Sequence, residues 1–246
     1  MKNYLHYKNL PLITAVLGAA GFGLRKLLYA VAEDGKGLIP YAHPLTVGLW
    51  FLTAAALGLA LWGIRNADEP DSGGSSRLAA AGCVAAAIGI GLTVLLHAPV
   101  SSGALGLFWR VLGILSFASL VVAAMQRWQG KQPYFLLSAV VCVFFAVHMV
   151  SGYQNWSRNP QIMDYVFTLL AGISLMLFAY QQGACAADCG SRRLLLLFGT
   201  MAVFFCFVCL SGTDNPLLYL TGGLWAMTNL TLEPAVLPEE CDDGAA

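Results

Sequence analysis

Residues 133–152 read PYFLLSAVVCVFFAVHMVSG, a run of twenty residues that contains no Asp, Glu, Lys or Arg. A helix of about 20 predominantly apolar residues is what crosses the roughly 30 Å hydrocarbon core of a bilayer. The run is too long for a strand and has no Gly or Pro between its ends, so it predicts one transmembrane helix. A comparable run, RLLLLFGTMAVFFCFVCLSG, occupies residues 193–212.

The rest of the chain has the same character. Of its 246 residues, 58% are hydrophobic and only 11% are charged, whereas soluble domains are about half apolar and a quarter charged. We therefore predict an all-α, polytopic membrane helix bundle surrounded by lipid, and the net charge of zero gives no indication of a nucleic-acid partner. The predicted helices are 9–32, 44–64, 77–98, 104–126, 133–152, 161–181, 193–212 and 216–231.

The first and last helices each have an alternative interpretation. The N-terminal segment resembles a secretory signal, but Arg25 and Lys26 interrupt its apolar run before the small residues at 30–32, so we expect an uncleaved helix. The segment 216–231 is short and rich in Gly and Thr. If that segment is re-entrant, the chain has seven spans instead of eight.

Basic residues in the connections favour one orientation. With the N-terminus inside, the inner segments hold eight Lys or Arg, and the outer segments hold only Lys36 and Arg158. Because Lys and Arg accumulate on the cytoplasmic side, both termini are predicted to be cytoplasmic, including the acidic tail 232–246. No cysteine falls in an outer segment, which is compatible with a bacterial cytoplasmic membrane. The inner basic residues are Lys2, Lys8, Arg65, Arg77, Arg127, Lys131, Arg192 and Arg193.

Similar motifs return about every 56–58 residues, the length of one helical hairpin. A capping residue and Pro precede three inward-running helices, at His43-Pro44, Asn159-Pro160 and Asn215-Pro216. The triplet Val-Phe-Phe at 143–145 precedes Ser-Gly at the same spacing as the triplet at 203–205. These matches predict four tandem hairpins, although membrane helices of biased composition also resemble one another by chance. The hairpin units are 9–64, 77–126, 133–181 and 193–231.

Ionisable side chains within the predicted spans lie in the outer half, and the cytoplasmic half is nearly free of them. A charge in a span is costly and usually faces the bundle interior or a cavity. We expect Arg110 to pair with Asp164 and a basic pocket to open outward, although these residues could equally be structural ion pairs and interface anchors. The predicted ligand-binding residues are Arg25, Arg110, His148, Asp164, His97, Tyr153 and Trp109, with Trp156 and Tyr165 as further aromatic walls.

Motifs for defined chemistry are weak. His97 and His148 lie at similar depth and could ligate haem, but they lack a flanking pattern, so we predict no cofactor and no metal. Cys185 and Cys189 could form a metal or redox pair in a cytoplasmic loop, and Cys206 and Cys209 are expected to be packing residues. The chain contains no nucleophile elbow, zinc-protease motif or phosphate-binding loop.

These features favour a membrane protein that binds, and in one version transports, a small anionic or amphipathic ligand from the outer side. The scarcity of polar residues in the inner halves counts against ion-coupled transport. One alternative is a membrane-embedded enzyme that acts on a lipid headgroup at the outer leaflet. Another is a non-catalytic subunit whose outer charges contact a partner protein.

Overall fold

The fold was analysed in a computed structural model, which describes residues 9–32, 43–65, 77–96, 104–156 and 165–230. Within these ranges the chain forms eight α-helices and no strand, as predicted. Seven of the helices are long and apolar enough to cross a membrane. The helices are α1 (Leu10–Ala32), α2 (Pro44–Arg65), α3 (Arg77–Leu96), α4 (Ala104–Trp128), α5 (Phe135–Trp156), α6 (Val166–Ala186), α7 (Arg192–Cys209) and α8 (Pro216–Leu230).

Helices α3 to α8 form a closed ring, in which each helix packs against the next and α8 returns to α3. Outside this ring, α1 packs against α7, and α2 packs against both α1 and α7. The short connections make consecutive packed helices alternate in direction. We call the end at which α1, α3, α5 and α7 begin the inner end, and the opposite one the outer end. These names follow the predicted orientation, which stays a prediction.

Large apolar side chains cover the outward faces of the helices. Leu95 is 81% exposed, Phe51 is 72% exposed and Trp128 is 68% exposed. Soluble monomers rarely expose so much contiguous apolar surface, because water makes that exposure unfavourable. In a bilayer the same faces contact lipid tails, so the surface agrees with the membrane bundle that the composition predicts.

The helix α8 has only 15 residues, so it is about 22 Å long at 1.5 Å per residue, less than a full span. Most of its core-facing side chains are buried between α3 and α7, including Tyr219 and Trp225, each 1% exposed. A short helix is tolerated at membrane depth when protein surrounds it.

Small residues allow α3 and α8 to pack closely. A Cβ atom added at Gly82 would clash with Thr228, and one added at Gly89 would clash with Thr221. The two glycines are seven residues apart, so they lie on one face of α3, and this face meets the threonine face of α8. Close approach of this kind is typical of membrane helix pairs that have small residues at their interface.

Two inner helix ends have the same terminating motif. At the end of α4, the Lys131 N–H donates to the Gln126 carbonyl over 2.8 Å and the Gly130 N–H to the Arg127 carbonyl over 3.1 Å. Gly130 has a φ of 78°, the left-handed conformation that this Schellman motif requires. At the end of α6 the corresponding left-handed residue is Asp188, with a φ of 56°.

The predicted N-caps have different outcomes. The helices α2 and α8 begin at Pro44 and Pro216, as predicted. The Leu45 N–H donates to Nδ1 of His43 over 3.3 Å, so His43 caps α2. In contrast, Oδ1 of Asn215 is buried and finds no hydrogen-bond partner among the described residues, so the expected Asn cap of α8 is not formed.

The predicted hairpin repeat has one clear parallel in the structure. Phe144–Phe145 and Phe204–Phe205 are buried pairs with ring centroids 5.5 and 5.3 Å apart and planes at 66° and 69°. Three inward-running helices also have a Trp shortly after a Gly-Leu pair, at Trp50, Trp109 and Trp225. These positions differ, because Trp109 and Trp225 are buried whereas Trp50 is 41% exposed. A common origin of the four hairpins therefore stays a prediction.

Candidate functional site

Arg25 lies inside the bundle at the outer end, where it is only 3% exposed. Its Nη2 donates to the Tyr29 hydroxyl over 3.0 Å, and its Nη1 approaches the Val208 carbonyl at 3.5 Å. The guanidinium lies 5.3 Å from the centre of the Phe167 ring and 5.5 Å from the centre of the Tyr29 ring. Three helices, α1, α6 and α7, thus surround this cation.

The carbonyl of Val208 belongs to the last turn of α7. The last carbonyls of a helix lack an intrahelical partner and carry the negative end of the helix dipole, which favours a cation there. Arg25 therefore has a structural role as a cap that α1 supplies to α7. Lys26, the next residue, is exposed and its Nζ lies 5.5 Å from the Phe22 ring centre. Adjacent residues of a helix point about 100° apart, so only one of these two cations enters the bundle.

His148 lies on α5 in an aromatic cluster, also towards the outer end. The Trp109 indole N–H donates to Nδ1 of His148 over 3.2 Å. The imidazole stacks on the rings of Trp109 and Phe144, and its centre is 6.4 Å from that of Tyr219. Because Nδ1 accepts this hydrogen bond, the arrangement suits an imidazole that carries its proton on Nε2.

Of the other predicted site residues, Arg110 and Tyr153 do not join this cluster. Arg110 is exposed on the outward face of α4 with Leu107 and Ile114, one residue from the buried Trp109. Tyr153 is 53% exposed. His97 and Asp164 lie outside the described residues, so the Arg110–Asp164 pair and the haem alternative stay predictions. The placement of Arg110 gives no support to its assignment as a pocket residue.

A second polar cluster lies at the inner end, among α3, α4, α5, α6 and α8. It surrounds a small cavity with about 250 Å³ of empty volume, open solvent included. Arg127, Pro133 and Leu137 at its edge are partly exposed, so the cavity opens near the connection between α4 and α5. The lining residues are Cys83, Ser119, Leu120, Ala123, Arg127, Pro133, Leu137, Ser138, Val141, Gln182 and Trp225.

A chain of amides forms one wall of this inner cavity. Nε2 of Gln182 donates to Oδ1 of Asn229 over 2.9 Å, and Nδ2 of Asn229 donates to the Trp225 carbonyl over 2.7 Å. The thiol of Cys83 lies close to Trp225, Asn229 and Arg127. These bonds connect α6 to α8 and hold the amide side chains in place.

Nε of Arg127 has no acceptor among the described residues, and the indole N–H of Trp225 has only the weak acceptor Sγ of Cys83 beside it. Both atoms are buried, and buried polar groups are nearly always hydrogen-bonded in native proteins. The only acidic residues in the described part of the chain, Asp188 and Asp214, are both exposed. The cavity therefore contains the guanidinium of Arg127 and the indole N–H of Trp225, and no carboxylate of the described residues lines it.

The sequence reasoning missed the inner cluster, and the expectation of a nearly featureless cytoplasmic half is wrong. Gln182 was placed beyond the end of its helix, but α6 continues to Ala186. Arg127 was counted as a connection residue, but α4 continues to Trp128. The polar residue Asn229 within an apolar helix was the available signal, because amides at membrane depth need a partner.

The cysteines give no metal site within the described residues. No group of three or more His, Cys, Asp and Glu side chains comes together there. Cys185 lies in the last turn of α6 rather than in a loop, and Cys189 is exposed beyond it. Cys206 and Cys209 are buried, and the Cys209 thiol donates to the Cys206 carbonyl, which agrees with the predicted packing role.

Comparisons with known proteins give no relative of this chain. No protein-family model, no curated protein and no solved structure matches it.

Proposed function

We propose that this multi-pass membrane protein binds a small anionic or amphipathic ligand near its outer end, with Arg25 as the group that receives the negative charge. The observation that carries the proposal is the burial of this guanidinium within an apolar bundle. A charged residue in a membrane span is costly, and such residues most often mark a binding site or an ion path. We also propose that the membrane is a bacterial cytoplasmic membrane, because no cysteine falls in a predicted outer segment.

The surroundings of Arg25 suit a ligand with one charged and one apolar part. The guanidinium presents five N–H donors in a planar fork, which its bonds to Tyr29 and Val208 hold in place. A carboxylate or phosphate matches this fork. The rings of Tyr29 and Phe167 offer an apolar surface next to it.

Binding is favoured over transport by the layer between the two ends of the ring. Phe144, Leu175, Phe178 and Phe204 are fully buried there, and each is 0% exposed. Phe144 packs against His148 of the outer cluster and Phe178 packs against Trp225 of the inner cavity, so apolar rings lie between the two sites. Transport would require this apolar layer to open, whereas binding of a ligand at one end does not require it to open.

Native mass spectrometry of the purified protein tests the proposal. Wild type is expected to retain a small molecule or lipid, and Arg25→Gln is expected to lose it. Arg110→Gln is the matched control, because Arg110 belongs to the same predicted leaflet but is exposed. Equal retention by wild type and both variants, or no retained molecule in wild type, would contradict binding at Arg25.

The two alternatives give different results. An enzyme that acts on lipid headgroups would lose turnover in His148→Gln while it still binds ligand. A non-catalytic subunit would retain no ligand, and Arg110→Ala would weaken co-purification of another chain.

A further inference from the structure

We infer that the inner cavity is a second anion site, which binds the oxyanion of an acidic lipid headgroup or of free phosphate. This site is independent of the outer one, since it uses different residues at the opposite end of the ring. The residues that carry the inference are Arg127 and Trp225, with Ser119, Ser138 and Gln182 around them.

Donors dominate the inner cavity. Nε of Arg127 is buried and has no acceptor among the described residues, and the buried Nε1 of Trp225 has only the weak acceptor Sγ of Cys83 beside it. The hydroxyls of Ser119 and Ser138 line the same space and can donate to a ligand as well. A group with several acceptor oxygens would satisfy these donors together, and a phosphate or carboxylate is such a group.

The charge of Arg127 also favours an anionic ligand. The thiol of Cys83 lies beside Arg127, and both acidic residues in the described part of the chain, Asp188 and Asp214, are exposed. A buried cation without a carboxylate is unfavourable, and an anion that enters the cavity would remove that cost. Arg127 also lies in the last turn of α4, and the Schellman motif at Gly130 fixes the end of this helix.

The position of the cavity suits a headgroup oxyanion that binds at its mouth. The space open to a molecule of the size of water is only about 10 Å³, so the oxyanion would lie beside Arg127 rather than deep in the cavity. Its partly exposed edge lies at Arg127, Pro133 and Leu137, near the ends of α4 and α5. This is the depth at which the headgroups of the inner leaflet would lie, and basic pockets between membrane helices bind anionic headgroups.

Native mass spectrometry with added lipid tests the inference. The full chain in detergent is titrated with phosphatidylglycerol and, separately, with phosphatidylcholine. Wild type is expected to prefer phosphatidylglycerol, and Arg127→Gln is expected to bind it at least about tenfold more weakly, as loss of a charged hydrogen bond implies. The matched control is Arg65→Gln, because Arg65 is in the last turn of α2 and is exposed. This control is expected to stay within about twofold of wild type.

A competition with inorganic phosphate distinguishes the two sources of the oxyanion. Loss of bound phosphatidylglycerol on addition of phosphate means that the site takes free oxyanions, and persistence means that it requires the lipid. Equal binding by wild type and Arg127→Gln overturns the inference.

Trp225→Phe provides a second test if Arg127→Gln does not fold. This variant keeps an aromatic side chain but removes the indole N–H together with the pyrrole ring, so a thermal unfolding scan checks that it folds. Weaker binding of phosphatidylglycerol by Trp225→Phe supports the site, and unchanged binding overturns it.

Discussion

Two arginines of this bundle, the buried Arg25 and the partly buried Arg127, differ in what surrounds them. Arg25, at the outer end, donates to Tyr29 and approaches the terminal carbonyl at Val208. Arg127, at the inner end, has a buried Nε without an acceptor among the described residues. The outer arginine therefore contributes to the fold already, whereas the inner one is placed for a partner that the described residues do not supply.

This difference matters for function, because a ligand at each end meets different costs. At the outer end it would compete with, or add to, hydrogen bonds that the protein already makes. At the inner end the ligand would bind donors that lack a good acceptor among the described residues. Each such unmade hydrogen bond costs about 1–3 kcal/mol, and the ligand would remove that cost. The contrast leads to predictions of decreasing size.

The largest effect is expected at the seam between α3 and α8, which supports the inner cavity. In Gly82→Val, the new side chain would clash with Thr228 and would push Trp225 out of position. Overpacking of this kind costs about 3 kcal/mol, which corresponds to a fall in Tm of about 6–12 °C. The control is Gly58→Ala, because a Cβ at Gly58 meets nothing within 4 Å. A thermal unfolding scan in which both variants match wild type would contradict this packing.

An intermediate effect is expected at the outer end. Arg25→Gln removes the bond to Tyr29 and the cap on α7, so unfolding free energy in detergent should fall by about 2 kcal/mol. Arg110→Gln should change it by less than about 0.5 kcal/mol, because its side chain is exposed. Similar losses in the two variants, measured by equilibrium unfolding, would show that burial of Arg25 contributes nothing.

The smallest effect is expected at the inner end in the absence of anions. Arg127→Gln removes a buried charge that has no carboxylate among the described residues, so unfolding free energy should change by less than about 0.5 kcal/mol or rise. The measurement is made in neutral detergent without added phosphate or acidic lipid. A loss as large as that of Arg25→Gln would mean that Arg127 already has a stabilising role in the protein alone.

The positions of the helices along the chain were largely predictable from the sequence. The rotation of each helix about its own axis was not. Hydropathy placed seven helix starts within about two residues, because bilayer thickness imposes a long apolar run. The start of α6 at Val166 lies five residues after the predicted one. Which face turns inward is a different problem. When every face is apolar, no periodicity tells Trp109, which is buried, from Arg110, which is exposed.

The inner cavity depends on contacts between residues far apart in the chain. Gln182 meets Asn229 only because α8 packs beside α6 and returns to α3. No local pattern encodes this closure of the ring, so the sequence indicated each polar residue separately and not their meeting. By contrast, the separation of Arg25 from Lys26 follows from helix geometry alone.

The most direct test of the difference between the two arginines is thermal unfolding of wild type, Arg25→Gln and Arg127→Gln, each with and without phosphatidylglycerol. Without the lipid, Arg25→Gln should unfold at the lowest temperature and Arg127→Gln at or above that of wild type. With the lipid, wild type and Arg25→Gln should both gain stability, and Arg127→Gln should gain little. An equal gain in Arg127→Gln, or a lower Tm than that of Arg25→Gln without lipid, would contradict the account.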